Sequence, residues 1–207
     1  MTSFLCRAVV PVLFVASLAR GQESKPKEPA PARQEEPAKQ PDAAKAPSAA
    51  DIEKWAKLAA PGDHHKRLQL LVGKWDLEVS APGQSPAKGT GEYGEILGGR
   101  FVTEHVKCVL GDQPFEWYGT YGYDNARKKY TAVWMDNLGT GMDMAEGNNE
   151  GDVIQLRGER EEVPGEKIRY KWIIRIRDKD TFSIEMLDIG ADGKDVPAMK
   201  ISMKRAK

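Results

Sequence analysis

The sequence predicts an all-β protein: an antiparallel up-and-down barrel of about eight to ten strands with short helices ahead of it. Three observations carry this. From Gly73 onward apolar and polar residues alternate with a period of two, as half-buried strands require. Turn residues recur at even spacing: Pro82-Gly83, Gly98-Gly99, Gly111-Asp112, Asp124-Asn125, 137–141, 149–151, Pro164-Gly165, 178–180 and Asp192-Gly193. No helix-length periodic segment lies between them. Closure into a barrel would remove the edges that an open meander of this size exposes.

Residues 1–21 read as a secretory signal peptide. Arg7 precedes the apolar run from Ala8 to Ala19, and small residues at Ala19 and Gly21 suit cleavage before Gln22. The run is short for a membrane anchor, and Pro11 interrupts it. The expected location is therefore exported, periplasmic or extracellular, without stable membrane insertion once the leader is gone. Removing Arg7 and Arg20 leaves 29 basic against 31 acidic residues, a charge of about −2. The signs are interspersed, which excludes the basic footprint of a nucleic-acid binder. Cys6 leaves with the leader, so Cys108 has no partner for an internal disulfide and reads as a small buried side chain.

Residues 22–50 hold six prolines among Ala, Lys, Glu and Gln and almost nothing large and apolar. Such a segment cannot bury enough surface to offset its ordering entropy and is expected to be a disordered tether. Residues 51–62 follow as a short helix, with Asp51 as N-cap, Ile52, Trp55 and Leu58 on one face, and Pro61-Gly62 as the stop. The barrel domain is expected over 63–207, entered by a second helix over 63–72 whose Leu68, Leu71 and Val72 would plug one end. His64 and His65 are adjacent, so on a helix they diverge by about 100° and do not converge on one metal ion.

Trp75, Leu77 and Val79 alternate with charged residues in the first strand, and Met199, Ile201, Met203 and Arg205 share a parity in the last. Antiparallel closure places Arg205 beside Trp75. In the strand from Lys167 to Arg177, Ile168, Tyr170, Trp172, Ile174 and Ile176 take the inner face. Arg169, Lys171, Arg175 and Arg177 form a basic face, read as an outer wall that acids on other strands can neutralise, with a binding strip as the alternative.

The Gly73-Lys-Trp75 opening and the terminal Arg205 resemble the closure signature of lipocalin-like (calycin) barrels, which usually bind small molecules in a lumen. Further blocks are Gly98-Gly-Arg-Phe101, Gln113-Pro-Phe-Glu-Trp-Tyr-Gly119, Gly122-Tyr-Asp-Asn-Ala-Arg-Lys-Lys-Tyr130, Trp134-Met-Asp-Asn-Leu-Gly-Thr-Gly141 and Glu146-Gly147. Together with His65-Lys-Arg-Leu-Gln-Leu-Leu-Val-Gly-Lys-Trp75, they make the chain from about His64 to Arg205 similar to the bacterial domain-of-unknown-function family number 1579. The resemblance implies a lipocalin-like barrel, frequently exported, and no catalytic residue.

Candidate site residues come from parity. A hairpin turning at Asp124-Asn125 pairs Tyr123 with Tyr130, Tyr121 with Ala132 and Gly119 with Trp134, so Trp117, Tyr121, Tyr123, Tyr130 and Trp134 share the lumen face. On the preceding strand Val102, Val106 and Cys108 share that face with Glu104. The inward carboxyl needs a partner, either a lumen tyrosine or Arg100, unless it meets a ligand. The candidate lumen set is Glu104, Trp117, Tyr121, Trp134, Tyr170 and Trp172, with Gly73, Trp75 and Arg205 closing the barrel. Met142 and Met144 are expected as lumen or core fillers unless a bulge in the 139–141 turn exchanges Asp143 with Met144, and Asp136 is expected as a turn acceptor.

These residues favour a non-catalytic barrel holding a small, mostly apolar molecule with a donor or positive group. A ligand-free structural envelope protein is the alternative. A small hydrolase or isomerase pairing Glu104 with Asp136 or Glu146 is a second, and it lacks any nucleophile-and-base, phosphate-loop or metal-ligand pattern. No cofactor is expected, since a haem reading needs an inward histidine and the parity of His105 is outward.

Overall fold

The computed structural model describes residues 46–207. The expected leader and nearly all of the expected tether fall outside the described residues. Helix α1 spans Ala49–Ala59 and begins two residues ahead of Asp51. Ser48 takes the capping position: its Oγ accepts from the Asp51 amide at 3.2 Å, and the Asp51 carboxylate accepts from the Ser48 amide and hydroxyl. Its side chains are all exposed, Trp55 included. At its other end the Asn125 side chain donates to the Leu58 and Ala60 carbonyls, both at 2.8 Å.

Helix α2 spans Asp63–Gln69, shorter than the sequence suggests. The amides of Leu70, Leu71 and Val72 each reach back three residues instead of four, tightening the chain into a turn before the first strand. Leu68 and Leu71 are buried in the core and close one end of the barrel.

Ten strands follow: β1 Gly73–Ser80, β2 Ala87–Ile96, β3 Phe101–Leu110, β4 Gln113–Asp124, β5 Lys129–Asp136, β6 Asp143–Glu150, β7 Val153–Val163, β8 Glu166–Ile176, β9 Thr181–Ile189 and β10 Asp195–Arg205. Each pairs antiparallel with its sequence neighbours, and β1 pairs with β10, so the sheet closes into an up-and-down barrel. The closing register sets Trp75 opposite Arg205, Leu77 opposite Met203 and Val79 opposite Ile201. Side chains of alternating parity from all ten strands fill the core, including Val79, Val106, Tyr121, Leu156, Trp172, Ile184 and Met203.

Arg205 fastens the closed end. Its guanidinium donates to the Val72 carbonyl at 3.0 Å and through Nε to the Lys179 carbonyl at 2.7 Å, tying the α2 turn to the β8–β9 turn. Gly73 has φ +141°, and a Cβ there would collide with the guanidinium, so only glycine fits. The opposite end is a mouth, rimmed by the loops 81–86, 111–112, 137–142, 164–165 and 190–194. The wall is irregular on that side, with register shifts between Glu161 and Val163 and between Pro197 and Met199.

Candidate functional site in the barrel lumen

Tyr93, Glu104, Gly119, Trp134 and Asp143 lie in one row of cross-strand partners running over β2 to β6. Gly119 makes the centre of the row possible. A Cβ at that position would collide with the Glu104 carboxylate and lie 2.7 Å from the Trp134 ring, so its absence lets the two side chains meet across β4.

Glu104 is 2% exposed. The Tyr121 hydroxyl donates to its Oε2 at 3.0 Å, and the Trp134 indole N–H donates to its Oε1. Burial raises the carboxyl to about 7, against hydrogen bonds that pull the other way. The sequence allowed either a tyrosine or Arg100 as partner. It is the tyrosine, because Arg100 turns outward and donates to the Leu97 carbonyl at 3.0 Å. The Tyr93 hydroxyl is buried beside the same carboxyl and close enough to couple to Glu104 and Tyr121. It makes no hydrogen bond of normal geometry among the described residues.

Aromatic walls surround this group. Trp117, Tyr121, Tyr170 and Trp172 are buried, and Trp134 is half-buried, packed edge-on against both Tyr121 and Trp172. Toward the mouth the inner face turns polar and half-buried. Arg160 donates to Asp188 at 3.1 Å and to Glu162 at 2.9 Å, and its guanidinium sits 5.3 Å from the Tyr170 ring centroid. Burial raises Asp188, with Arg160 opposing. Asp143 adds its charge beside Arg160 and Tyr170.

Met142 and Met144 do not fill the lumen. They are 65% and 66% exposed, while Asp143 and Ala145 take the inner positions. The register across the 137–142 loop pairs Trp134 with Asp143 and Ala132 with Ala145, which turns both methionines outward. Met186 and Met199 are the half-buried methionines of the mouth.

The three carboxylates of the enzyme alternative do not converge. Asp136 caps its turn by accepting from the Leu138 amide at 2.7 Å, and Glu146 pairs with Arg127 and Lys129. His64 stacks on Tyr123 with centroids 4.0 Å apart and meets the Tyr130 hydroxyl at 2.8 Å. His65 is buried and accepts from the Gly62 amide through Nδ1 at 3.0 Å. Outside the barrel wall, His105 stacks on Tyr118 and pairs with Glu116. No three His, Cys, Asp or Glu side chains gather as a metal cluster among the described residues. Cys108 is buried, which raises its thiol.

Two concavities open on the barrel. One of about 360 Å³ lies at the mouth, lined by Ser80, Pro82, Met186, Leu187, Pro197 and Met199. The other, of about 570 Å³, lies at the α2 end. Neither is bounded by Glu104. Parity reasoning did not single out Tyr93, Arg160 or Asp188. The alternation Gly89, Gly91, Tyr93 could have found the first. The others are ordinary charges whose meeting depends on strands far apart in sequence.

The fold and its row of inward side chains define a closed, antiparallel β-barrel with a polar group inside an aromatic lumen. Residues 60–205 match the family model described as protein of unknown function (DUF1579), and the chain belongs to that family. No curated protein matches the chain. Among solved structures it is similar to a de novo designed fluorescence-activating β-barrel, at 14% identity over 67% of this chain and 96% of that one, with a TM-score of 0.40. A redesigned barrel bound to DFHBI is similar at 13% identity over 66% and 100%, with a TM-score of 0.40. Rv2717c from M. tuberculosis is similar at 16% identity over 72% and 100%, with a TM-score of 0.46.

Proposed function

We propose that the barrel binds, without transforming it, a small and mostly apolar molecule in the mouth half of its lumen. Trp117, Tyr121, Trp134, Tyr170 and Trp172 would form the walls and floor, and Glu104 the polar contact. The observation that carries the reading is the buried Glu104 carboxyl set among aromatic side chains, with the Tyr93 hydroxyl beside it. A core built for stability alone gains from apolar residues at such positions, whereas an oriented polar group in an apolar pocket is what recognition uses. The mouth supplies apolar surface in Met186, Met199 and Pro82, and an ionised Glu104 disfavours an anion. The leader-like pattern of residues 1–21 supports export. N-terminal sequencing of the native protein is expected to begin at Gln22, and a start at Met1 would refute cleavage.

The test uses two probes with one scaffold. N-phenyl-1-naphthylamine is neutral, apolar and carries one N–H donor, and 8-anilinonaphthalene-1-sulfonate adds an anion to it. The neutral probe should bind saturably and quench tryptophan fluorescence, the sulfonate should bind about tenfold more weakly or less, and Glu104→Gln should weaken the neutral probe while melting cooperatively. Absence of saturable binding by either probe would overturn the reading.

One observation favours the ligand-free structural alternative. Tyr121 and Trp134 already occupy both oxygens of Glu104. Under that reading Glu104→Gln changes stability alone, and neither probe binds.

A further inference from the structure

The basic face of β8 is only partly neutralised. Lys171 pairs with Asp195, and Arg175 lies 3.3 Å from Glu185. Arg177, one residue past the strand, makes no ion pair among the described residues. Its neighbour Asp178 is already engaged, accepting from the Asp180 amide at 2.8 Å and the Thr181 hydroxyl at 3.0 Å. Facing these arginines from α2 is Arg67, which has one guanidinium nitrogen on the Asp152 backbone carbonyl and no carboxylate partner among the described residues.

Arg67, Arg175 and Arg177 line the groove of about 570 Å³ at the α2 end, together with Leu70, Ile176 and Asp152. Leu70 is 46% exposed there, a large apolar side chain facing solvent beside three guanidiniums. Against those three charges stands Asp152 in the groove, while Glu185 holds Arg175 from one side. Guanidinium forks match the paired oxygens of a phosphate or carboxylate, and an apolar neighbour suits the body that carries such a group.

We propose that this groove is a second binding site, separate from the lumen, for a small organic dianion with an apolar body, a phosphate monoester being the best match. Arg67 and Arg177 would hold the anionic head, Arg175 would assist at its edge, and Leu70 and Ile176 would receive the apolar part. The site does not depend on the lumen reading, because it lies at the plugged end and shares none of the lumen residues.

The test is calorimetric titration of the full chain with phenyl phosphate, inorganic phosphate and phenol at low ionic strength. Phenyl phosphate should bind saturably and about tenfold more tightly than inorganic phosphate, phenol should not bind, and added salt should weaken the complex. Arg177→Gln and Arg67→Gln should each lower the affinity about tenfold, while Arg157→Gln, an equal loss of charge on β7, should leave it unchanged. Arg177 is exposed, so Arg177→Gln should melt as the parent does and keeps the test valid if Arg67→Gln folds poorly. No saturation by about 10 mM phenyl phosphate, or equal weakening by Arg157→Gln, would overturn the proposal.

Discussion

The guanidinium carbon of Arg205 stands 4.2 Å from the ring centroid of Trp75, its cross-strand partner, and so covers the indole with a cation where the barrel closes. The indole N–H of Trp75 donates to the Leu71 carbonyl at 2.8 Å, so the same pair also holds the α2 plug. A cation–π contact is worth roughly 0.5–2 kcal/mol depending on desolvation. Trp75→Ala and Arg205→Ala should each destabilise the barrel in urea, and the double variant should lose roughly 1 kcal/mol less than their sum. Strict additivity would show that the contact contributes nothing. Gly73→Ala should cost at least about 1–3 kcal/mol, because it combines backbone strain with displacement of the guanidinium.

Glu104 should make stability depend on pH in a defined direction. Its carboxyl is raised from 4.5 to about 7 by burial, so between those values the folded chain holds a proton that the unfolded chain has released. Its contribution is complete below about pH 4.5, declines as pH rises, and is gone above about pH 7. The stability of the parent relative to Glu104→Gln should fall by roughly 3 kcal/mol across that window, at 1.36 kcal/mol per unit. Denaturant midpoints for the two proteins that stay parallel from pH 4 to pH 8 would contradict it.

Tyr93→Phe should report the same protonation. The Tyr93 hydroxyl lies beside the carboxyl as a donor that favours its ionised form, pulling the carboxyl down against burial. Near pH 8, where the carboxyl is ionised, the variant should lose about 1.5–3 kcal/mol, the worth of a hydrogen bond to a charged group. Near pH 5, where the carboxyl is neutral, losing the hydroxyl should cost less, about 1 kcal/mol. A pH-independent effect would refute the link.

His65 works in the opposite sense. Burial lowers it from 6.5, and Nδ1 is committed as an acceptor to the Gly62 amide. The unfolded chain therefore takes up a proton before the folded one does. The stability it contributes is present above about pH 6.5 and lost as pH falls. Titration of its ring signals by NMR should give a midpoint below 6.5. A midpoint above that value would show that the ring is not held neutral.

Most of the barrel could be read from the chain because period-two alternation is a local signal. The pairing of Gly119 with Trp134 and of Tyr123 with Tyr130, and the inward Glu104, follow from counting outward from one tight turn. Counting fails where a loop is long. The register across the 137–142 loop sets Asp143 and not Met144 on the inner face, an exchange the sequence left open because no periodicity within β6 decides it. The partner of Glu104 was open between a tyrosine and Arg100, since rotamers are not written in parity. Arg160 and Asp188 lie on β7 and β9 with β8 between them, so their meeting depends on inclination of the strands as well as on register. Helix α1 started early because Ser48 and Asp51 cap each other, a reciprocal arrangement that a single-residue cap assignment overlooks.

Closure of β1 on β10 also has a temporal side. The hydrogen bond between Val72 and Arg205 joins residues 133 positions apart, so the first strand leaves the ribosome long before the strand that completes it. Until β10 is made, β1 has β2 on one side and a bare row of amides and carbonyls on the other. Assembly must then be slow relative to a helical domain of this size, and the chain is open to misassociation until β10 pairs. Truncation just before Arg205 would remove the clasp from a sheet otherwise nearly whole. Such a chain should behave as an aggregating intermediate caught before its final step, which makes the end of β10 the folding checkpoint of the barrel.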